Sequence, residues 1–192
     1  EASIMQNVIR AIRLTAAVLL VATICVAVED QAGQMIEHAN IVERDILAGQ
    51  SRDWNQVLDR CEALGGSFAS LLLSPYPVSD NQKSQARRIG LIDEATRQLQ
   101  RIGRREYQQR FPSLGIGDPA ERIATWVEAL QELAEAAGRE LPPGPAAAQL
   151  AIATALLDTF RQEPGLLFEA SVDITPVRKL WLVWRNRSMM RQ

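Results

Sequence analysis

The sequence has little of the chemistry that enzymes and metal proteins use. It contains a single histidine, His38, and two cysteines, Cys25 and Cys61, without a CxxC pair. A lone histidine without cysteine or histidine neighbours does not form a zinc site, and two such cysteines do not form a disulfide framework. Any Ser-His-Asp or Cys-His relay would have to use His38. Cys61 falls on an apolar helical face, where we expect a small buried hydrophobe and not a nucleophile.

Motifs for nucleophiles and cofactors are absent as well. No GxSxG elbow and no ExxH pair occurs, and GIGD at residues 115–118 lacks the Lys-Ser/Thr of a phosphate loop. We therefore predict a protein that is not an enzyme, with no cofactor and no metal. An excess of positive charge is also missing, because the net charge is −2 and the pI is about 5.6. No nucleic-acid partner is expected from such a charge balance.

One long hydrophobic run is present, LTAAVLLVATICVAV at residues 14–28. Extended back to Val8, it would rise about 31 Å as a helix, which matches a hydrocarbon core of about 30 Å. Arginines before the run and acidic residues directly after it predict a cytoplasmic N-terminus and an extracytoplasmic main domain. We expect a single-pass membrane anchor through residues 8–28. An uncleaved signal peptide and a buried helix of a soluble protein are the alternatives.

A heptad rhythm follows the run and predicts that its helix continues. Apolar residues alternate at spacings of four and three, which is typical of a seam packed lengthwise on other helices. The residues of this heptad stripe are Val28, Ala32, Met35, Ala39, Val42 and Ile46. One long helix over residues 5–48, with the stripe buried, is the simplest interpretation.

Apolar spacing and capping signals in the rest of the chain predict an all-α bundle of about four to five further helices. The predicted helices cover residues 51–72, 79–111, 118–138 and 145–160, followed by a C-terminal segment. Gly65 and Gly66 predict a bend or the close approach of a neighbouring helix. In the C-terminal segment a helix is favoured for KLWLVW, while LLFEASV stays open between helix and strand. We divide the chain into an anchor, residues 1–28, and one helical-bundle domain, residues 29–192.

Charge alternates in sign along the predicted helices. Residues 29–73 and 112–144 are net acidic, whereas residues 79–111 are net basic. Opposite signs on neighbouring helices disfavour wrong pairings in an up-down bundle. A basic face of the third predicted helix fits this explanation, and docking to an anionic surface is its alternative. The basic face includes Arg97, Arg101, Arg104 and Arg105.

The C-terminal stretch WLVWRNR combines tryptophan with arginine. Both residue types are enriched at interaction hot spots, and both suit a membrane interface. The candidate partner-binding residues are Trp181, Leu182, Val183, Trp184, Arg185 and Arg187. On a final helix the expected core side is Val177, Leu180, Trp181 and Trp184. Leu182 and Val183 would then point away from the core, towards a partner or a bilayer.

These features together predict a membrane-anchored interaction or structural subunit of a membrane complex. Protein partners are expected, and homo-oligomerisation is left open. An N-terminal anchor, a helical stalk and a helical bundle resemble, in architecture alone, the extracytoplasmic sensor half of bacterial signal transducers. The resemblance implies a ligand-sensing domain as the first alternative. A soluble helical adaptor is the second.

Overall fold

The computed structural model describes residues 31–45, 53–73, 79–102, 118–139, 145–169 and 172–188. All regular secondary structure in these ranges is helical, so the predicted all-α class is confirmed. The predicted anchor, residues 8–28, lies outside the described residues, as do Arg104 and Arg105. No helix within the described ranges is long and apolar enough to cross a membrane.

The helices are labelled here in chain order. They are α1 (residues 31–45), α2 (Trp54–Cys61), α3 (Ser67–Leu73), α4 (Asp80–Gln100), α5 (Pro119–Arg139), α6 (Pro145–Gln162), α7 (Leu166–Glu169) and α8 (Pro176–Ser188). A π-helical turn, Glu62–Gly66, connects α2 directly to α3. The start of LLFEASV is therefore the short helix α7, and KLWLVW lies within α8 as favoured.

Side-chain caps explain where several of these helices begin. The Asp118 carboxylate accepts a hydrogen bond of 2.9 Å from the backbone N–H of Ala120, which confirms Asp118 as the N-cap of α5. At the start of α4, Ser79 and Gln82 cap each other's backbone in a reciprocal capping box. Proline occupies the first position of α5, α6 and α8, where its missing N–H costs no hydrogen bond.

The core lies around α4, which packs against α2, the π turn, α3, α5 and α6. Its largest fully buried side chains include Phe160, Leu99, Ile123 and Leu130. Burying each side chain of this size contributes about 1.5–3 kcal/mol to the free energy of unfolding. The ring of Trp126 is also buried, and it stacks on Trp54 with ring centroids 4.6 Å apart.

The heptad stripe is not buried in the described part of α1, which corrects the prediction. Met35 is 57% exposed, and Ala32 and Ala39 are exposed too. Polar contacts set the rotation of α1 instead. The imidazole of His38 hydrogen-bonds Ser67, and Asp45 pairs with Arg60 at 2.9 Å. These contacts turn the neighbouring side of α1 towards α2 and α3. Of the described stripe residues, Val42 reaches that side and is half-buried.

The orientation predicted for the C-terminal helix is also wrong. Leu182 is buried, with 6% exposure, whereas Val177, Leu180, Trp181 and Trp184 are exposed. The buried Ile174 lies directly before α8, and Lys179 forms an ion pair with Asp173 at 2.7 Å. With Ile174 and Leu182 both in the core, the four-residue apolar face points outwards. Val183 is exposed, as expected.

Candidate functional site

Five apolar side chains of α8 form an exposed surface that we call the outward face. They are Val177, Leu180, Trp181, Val183 and Trp184, with exposed fractions between 40% and 75%. Four of them follow the i, i+3, i+4, i+7 spacing that aligns residues along one side of a helix. Leu182 lies on the opposite side and packs among residues of the core, including Ala155 and Ile174. The helix is thus attached to the bundle by one side and presents tryptophan on the other.

Cations border the outward face on both sides. At 100° per residue, Arg178 and Arg185 lie along one border and Lys179 lies along the other. The Arg185 guanidinium lies 4.9 Å from the centre of the Trp181 ring, a distance at which a cation is attracted to the face of the ring. Arg187 is part of the same helix. Tryptophan and arginine therefore adjoin one another on the protein surface, as the sequence predicts.

A groove of about 520 Å³ runs beneath α8, between this helix and helices α5 and α6. Small residues such as Ala147, Ala151 and Gly138 line it, together with Leu182. Glu135 and Asp158 contribute carboxylates on the bundle side, and the arginines at the border of α8 contribute guanidinium groups. Glu135 and Asp158 therefore share this groove with Arg178, Arg185 and one side of Trp181. A third acid, Asp173, lies at the other border of the outward face, where it pairs with Lys179.

The predicted basic face is only partly described. Arg97 forms an ion pair of 2.8 Å with Asp93 one turn earlier on α4. Arg101 is the C-cap residue of the same helix and is partly buried. Arg104 and Arg105 lie outside the described residues, so the described chain brings together two of the four predicted arginines.

A second candidate site is a cleft of about 250 Å³ between α1, the π turn, α3 and α4, which we call the polar cleft. Its floor exists because Gly65 and Gly90 meet without side chains. A Cβ atom added to Gly65 would lie 2.0 Å from the carbonyl oxygen of Gly90. Of the two predicted roles, a bend or a close helix approach, Gly65 makes the close approach, whereas a Cβ on Gly66 would lie 3.6 Å from Arg87, an ordinary contact distance. π turns are frequently found at functional sites.

Hydrogen bonds define the tautomer of His38 at the edge of the polar cleft. The Ser67 hydroxyl oxygen lies 3.0 Å from the Leu64 carbonyl, which only accepts, so the hydroxyl donates to it. The same oxygen lies 2.7 Å from Nδ1 of His38 and is free to accept the Nδ1 proton. In the neutral imidazole, Nε2 is then the basic nitrogen. The neutral His38 ring that lines the polar cleft is therefore assigned a proton on Nδ1.

Glu94 adds to the same cleft a carboxyl group that is a weaker acid than usual. Burial raises the pKa of Glu94 above its ordinary value, and the hydrogen bond donated by Gln98 and the nearby Arg97 only partly oppose this. Its neighbour Asp93 is held by Arg97 and accepts a hydrogen bond of 2.9 Å from Gln149. Phe68 and Leu72 line the apolar side of the cleft, and both side chains are exposed.

The chemistry of the remaining candidates is limited. Burial raises the pKa of the Cys61 thiol, so the thiolate that a nucleophile requires is strongly disfavoured. This agrees with the expected role of Cys61 as a buried hydrophobe, since its exposed fraction is 2%. Within the described ranges, no group of three or more His, Cys, Asp or Glu side chains is placed to hold a metal ion.

Comparison with known proteins gives no relative. No protein-family model matches the chain, and no curated protein and no solved structure is significantly similar to it. The class that the structure defines is an all-α bundle with an exposed apolar and basic helix.

The polar cleft was not expected from the sequence. Its residues come from α1, α3, α4 and α6. They are far apart in the sequence, because the first is His38 and the last is Gln149. The only local signals were the unusual single histidine and the glycine pair at Gly65 and Gly66. Neither signal indicated which helix would lie opposite.

Proposed function

We propose that the protein is a non-enzymatic subunit of a membrane-associated assembly and makes its contact through the outward face of α8. The observation that carries this proposal is the exposure of five large apolar side chains on one helix of 13 residues. Contiguous exposed apolar surface costs free energy in water and commonly marks an interaction site. Tryptophan and arginine, the residues most enriched at binding hot spots, adjoin each other there.

The predicted anchor supports the same proposal from the other end of the chain. Residues 8–28 would keep the bundle close to a bilayer, where the outward face of α8 would be available to the rest of the assembly. A subunit with this arrangement needs no catalytic residues, since its function is to hold a position.

Site-specific photocrosslinking tests whether the outward face is covered in the cell. We expect a photoreactive phenylalanine at position 184 to form an adduct in cells that make the protein. The same group at Leu133, an exposed leucine of α5, serves as the matched control. If position 184 gives no more adduct than position 133, the outward face is free and the proposal is wrong. Adducts in a chain recovered entirely from the soluble fraction would instead favour the soluble adaptor.

Ligand sensing is the second candidate function, and the polar cleft is the observation that favours it. His38, Glu94 and Phe68 all line the cleft, and the ring centroids of His38 and Phe68 lie 5.7 Å apart. Pockets that combine apolar walls with a few convergent polar groups are typical of small-molecule sites. We expect a thermal-shift screen of small amphipathic amines and acids to find compounds that raise the melting temperature of the full chain. The same compounds should not raise the melting temperature of the Phe68→Ala variant. If every stabiliser acts equally on the variant, the polar cleft is not their site.

A further inference from the structure

We propose that the outward face of α8 docks on an anionic lipid bilayer, with its tryptophans at the level of the headgroups. The inference rests on the proposed function, because it names what the outward face of α8 contacts. It depends on the arrangement of apolar and charged side chains around the helix and on how α8 is attached to the bundle.

The charge of α8 selects for an anionic surface. All its ionisable side chains are cationic, namely Arg178, Lys179, Arg185 and Arg187, and the helix contains no acid. Lys179 is paired with Asp173, which precedes the helix, and Arg178 and Arg185 share a groove with Glu135 and Asp158, but the helix itself carries only positive charge. Cations that border an exposed apolar surface are placed to meet lipid phosphates while the apolar side chains enter the acyl boundary.

A second copy of the chain is a poor occupant of this face. Two α8 helices packed face to face would bring eight cations together with no acid on either helix. Like charges across an interface are repulsive, and the carboxylate at the border of the outward face, that of Asp173, is already paired with Lys179 of its own chain. The carboxylates of Glu135 and Asp158 line the groove between α8 and the bundle.

A bilayer also fits the shape of the surface better than a protein groove does. At 100° per residue, the five apolar side chains cover nearly half of the helix circumference, and cations lie at both edges. A protein partner would need an apolar groove of that width with acids at both rims. An anionic bilayer supplies an apolar interior and negative headgroups on every side of the helix. Trp181 and Trp184 suit this boundary because their rings are apolar and their N–H groups are polar.

The attachment of α8 prepares it for docking. Leu182 anchors the helix in the core, and the side-chain amide of Asn186 donates a hydrogen bond of 2.8 Å to the Leu182 carbonyl. An isolated amphipathic peptide has to fold when it binds a membrane, whereas α8 is already helical and already oriented. Docking therefore carries little of the ordering cost that accompanies coupled folding and binding.

Tryptophan quenching by brominated phospholipid tests this inference in the full chain, reconstituted into vesicles. All four tryptophans lie beyond residue 30, so the predicted anchor contributes no signal. Trp126 is buried and stacks on Trp54, which leaves Trp181 and Trp184 as the rings that lipid reaches. We expect strong quenching in vesicles that contain phosphatidylglycerol. With phosphatidylcholine alone the quenching should be weak, and added salt should reduce it where phosphatidylglycerol is present.

Two pairs of variants supply the controls. The quenched fraction, measured across a salt titration, gives a constant for docking on the vesicle. We expect Arg178→Gln to lower this docking constant about five-fold. Arg139→Gln, at the exposed end of α5, should leave it unchanged. Leu180→Asp should lower the constant at least about ten-fold, in contrast to Leu133→Asp. Unchanged circular dichroism would show that each variant is folded. Equal quenching in both kinds of vesicle, or equal loss in both members of a pair, would overturn the inference.

The photocrosslinking experiment separates failure of this inference from failure of the proposed function. An adduct to phospholipid at position 184 supports both. An adduct to protein at that position keeps the proposed function but overturns lipid docking. The absence of any adduct overturns both.

Discussion

At the scale of single residues, Glu94 connects the structure to a pH dependence. Burial raises the pKa of this carboxyl group above 4.5 in the folded chain, so the folded state holds the proton more tightly than the unfolded state. The stabilisation from this difference is complete below about pH 4.5, and it is lost as the pH rises through the folded-state pKa. The charged groups around Glu94 are Asp93, Arg97 and Arg101.

We therefore expect Glu94→Gln to be more stable than the wild-type chain at neutral pH and about equally stable below pH 4.5. The substituted amide keeps an oxygen that accepts the hydrogen bond from Gln98. Urea unfolding at a series of pH values measures the effect. Glu128→Gln, an exposed substitution on α5, is the control. If the two variants have the same pH profile, the environment assigned to Glu94 is wrong.

Leu182 and Val183 are neighbours in sequence with opposite roles. Because Leu182 is buried in the core, Leu182→Ser should lower the free energy of unfolding by about 2–5 kcal/mol. Val183→Ser, on the exposed side of the same helix, should change it by less than about 0.5 kcal/mol. Chemical denaturation of the two single variants measures both. Comparable losses would mean that α8 is rotated from the position described.

At the scale of secondary structure elements, the contact between the π turn and α4 depends on two glycines. A Cβ at either Gly65 or Gly90 would lie within about 2.2 Å of the other residue's backbone oxygen, so the helices would have to separate. We expect Gly65→Ala and Gly90→Ala each to destabilise the protein by about 1–3 kcal/mol or more. Thermal or urea unfolding measures the loss.

Gly33 is the control for this pair of variants. It lies within α1 and a Cβ there would meet nothing within 4 Å. Gly33→Ala should therefore stabilise the chain by about 0.5–1 kcal/mol, because alanine restricts the unfolded chain and favours the helix. A similar gain in all three variants would show that helix propensity, and not the helix crossing, controls these sites.

The contacts of α1 lead to a different expectation from its heptad stripe. A stripe buried in the bundle would make Met35→Asp costly by several kcal/mol. Since Met35 is exposed, we expect a change below about 0.5 kcal/mol in the isolated chain. Asp45→Asn should cost about 1–3 kcal/mol, because its largely buried carboxylate pairs with Arg60. Denaturant titration of both variants measures the two losses. A larger loss for Met35→Asp than for Asp45→Asn would mean that the stripe is the packing face of α1.

At the scale of the whole molecule, membrane attachment through residues 8–28 stays a prediction. We expect the full chain to remain with membranes after a carbonate wash, because an apolar segment of about 31 Å inserts into the hydrocarbon core. Protease added on the extracytoplasmic side should digest the chain beyond residue 30, since the charged flanks predict that orientation. Release of the intact chain by carbonate would contradict the anchor.

Local signals in the sequence determine most of the helices of this protein. The all-α class, the start of α5 at Asp118-Pro119 and the burial of Cys61 follow from capping chemistry and apolar spacing, which act over a few residues. Such features are predictable because neighbours along the chain create them.

Tertiary structure decided which face of each helix is buried. Apolar spacing shows that α1 and α8 have an apolar side, but it does not show whether that side packs within the chain or faces outwards. For α1, the pair of Asp45 with Arg60 turned the stripe away from the bundle. For α8, Ile174 and Leu182 occupied the core and left Trp184 outside. The polar cleft likewise forms only where helices distant in sequence meet. Its electrostatic environment therefore depends on long-range packing.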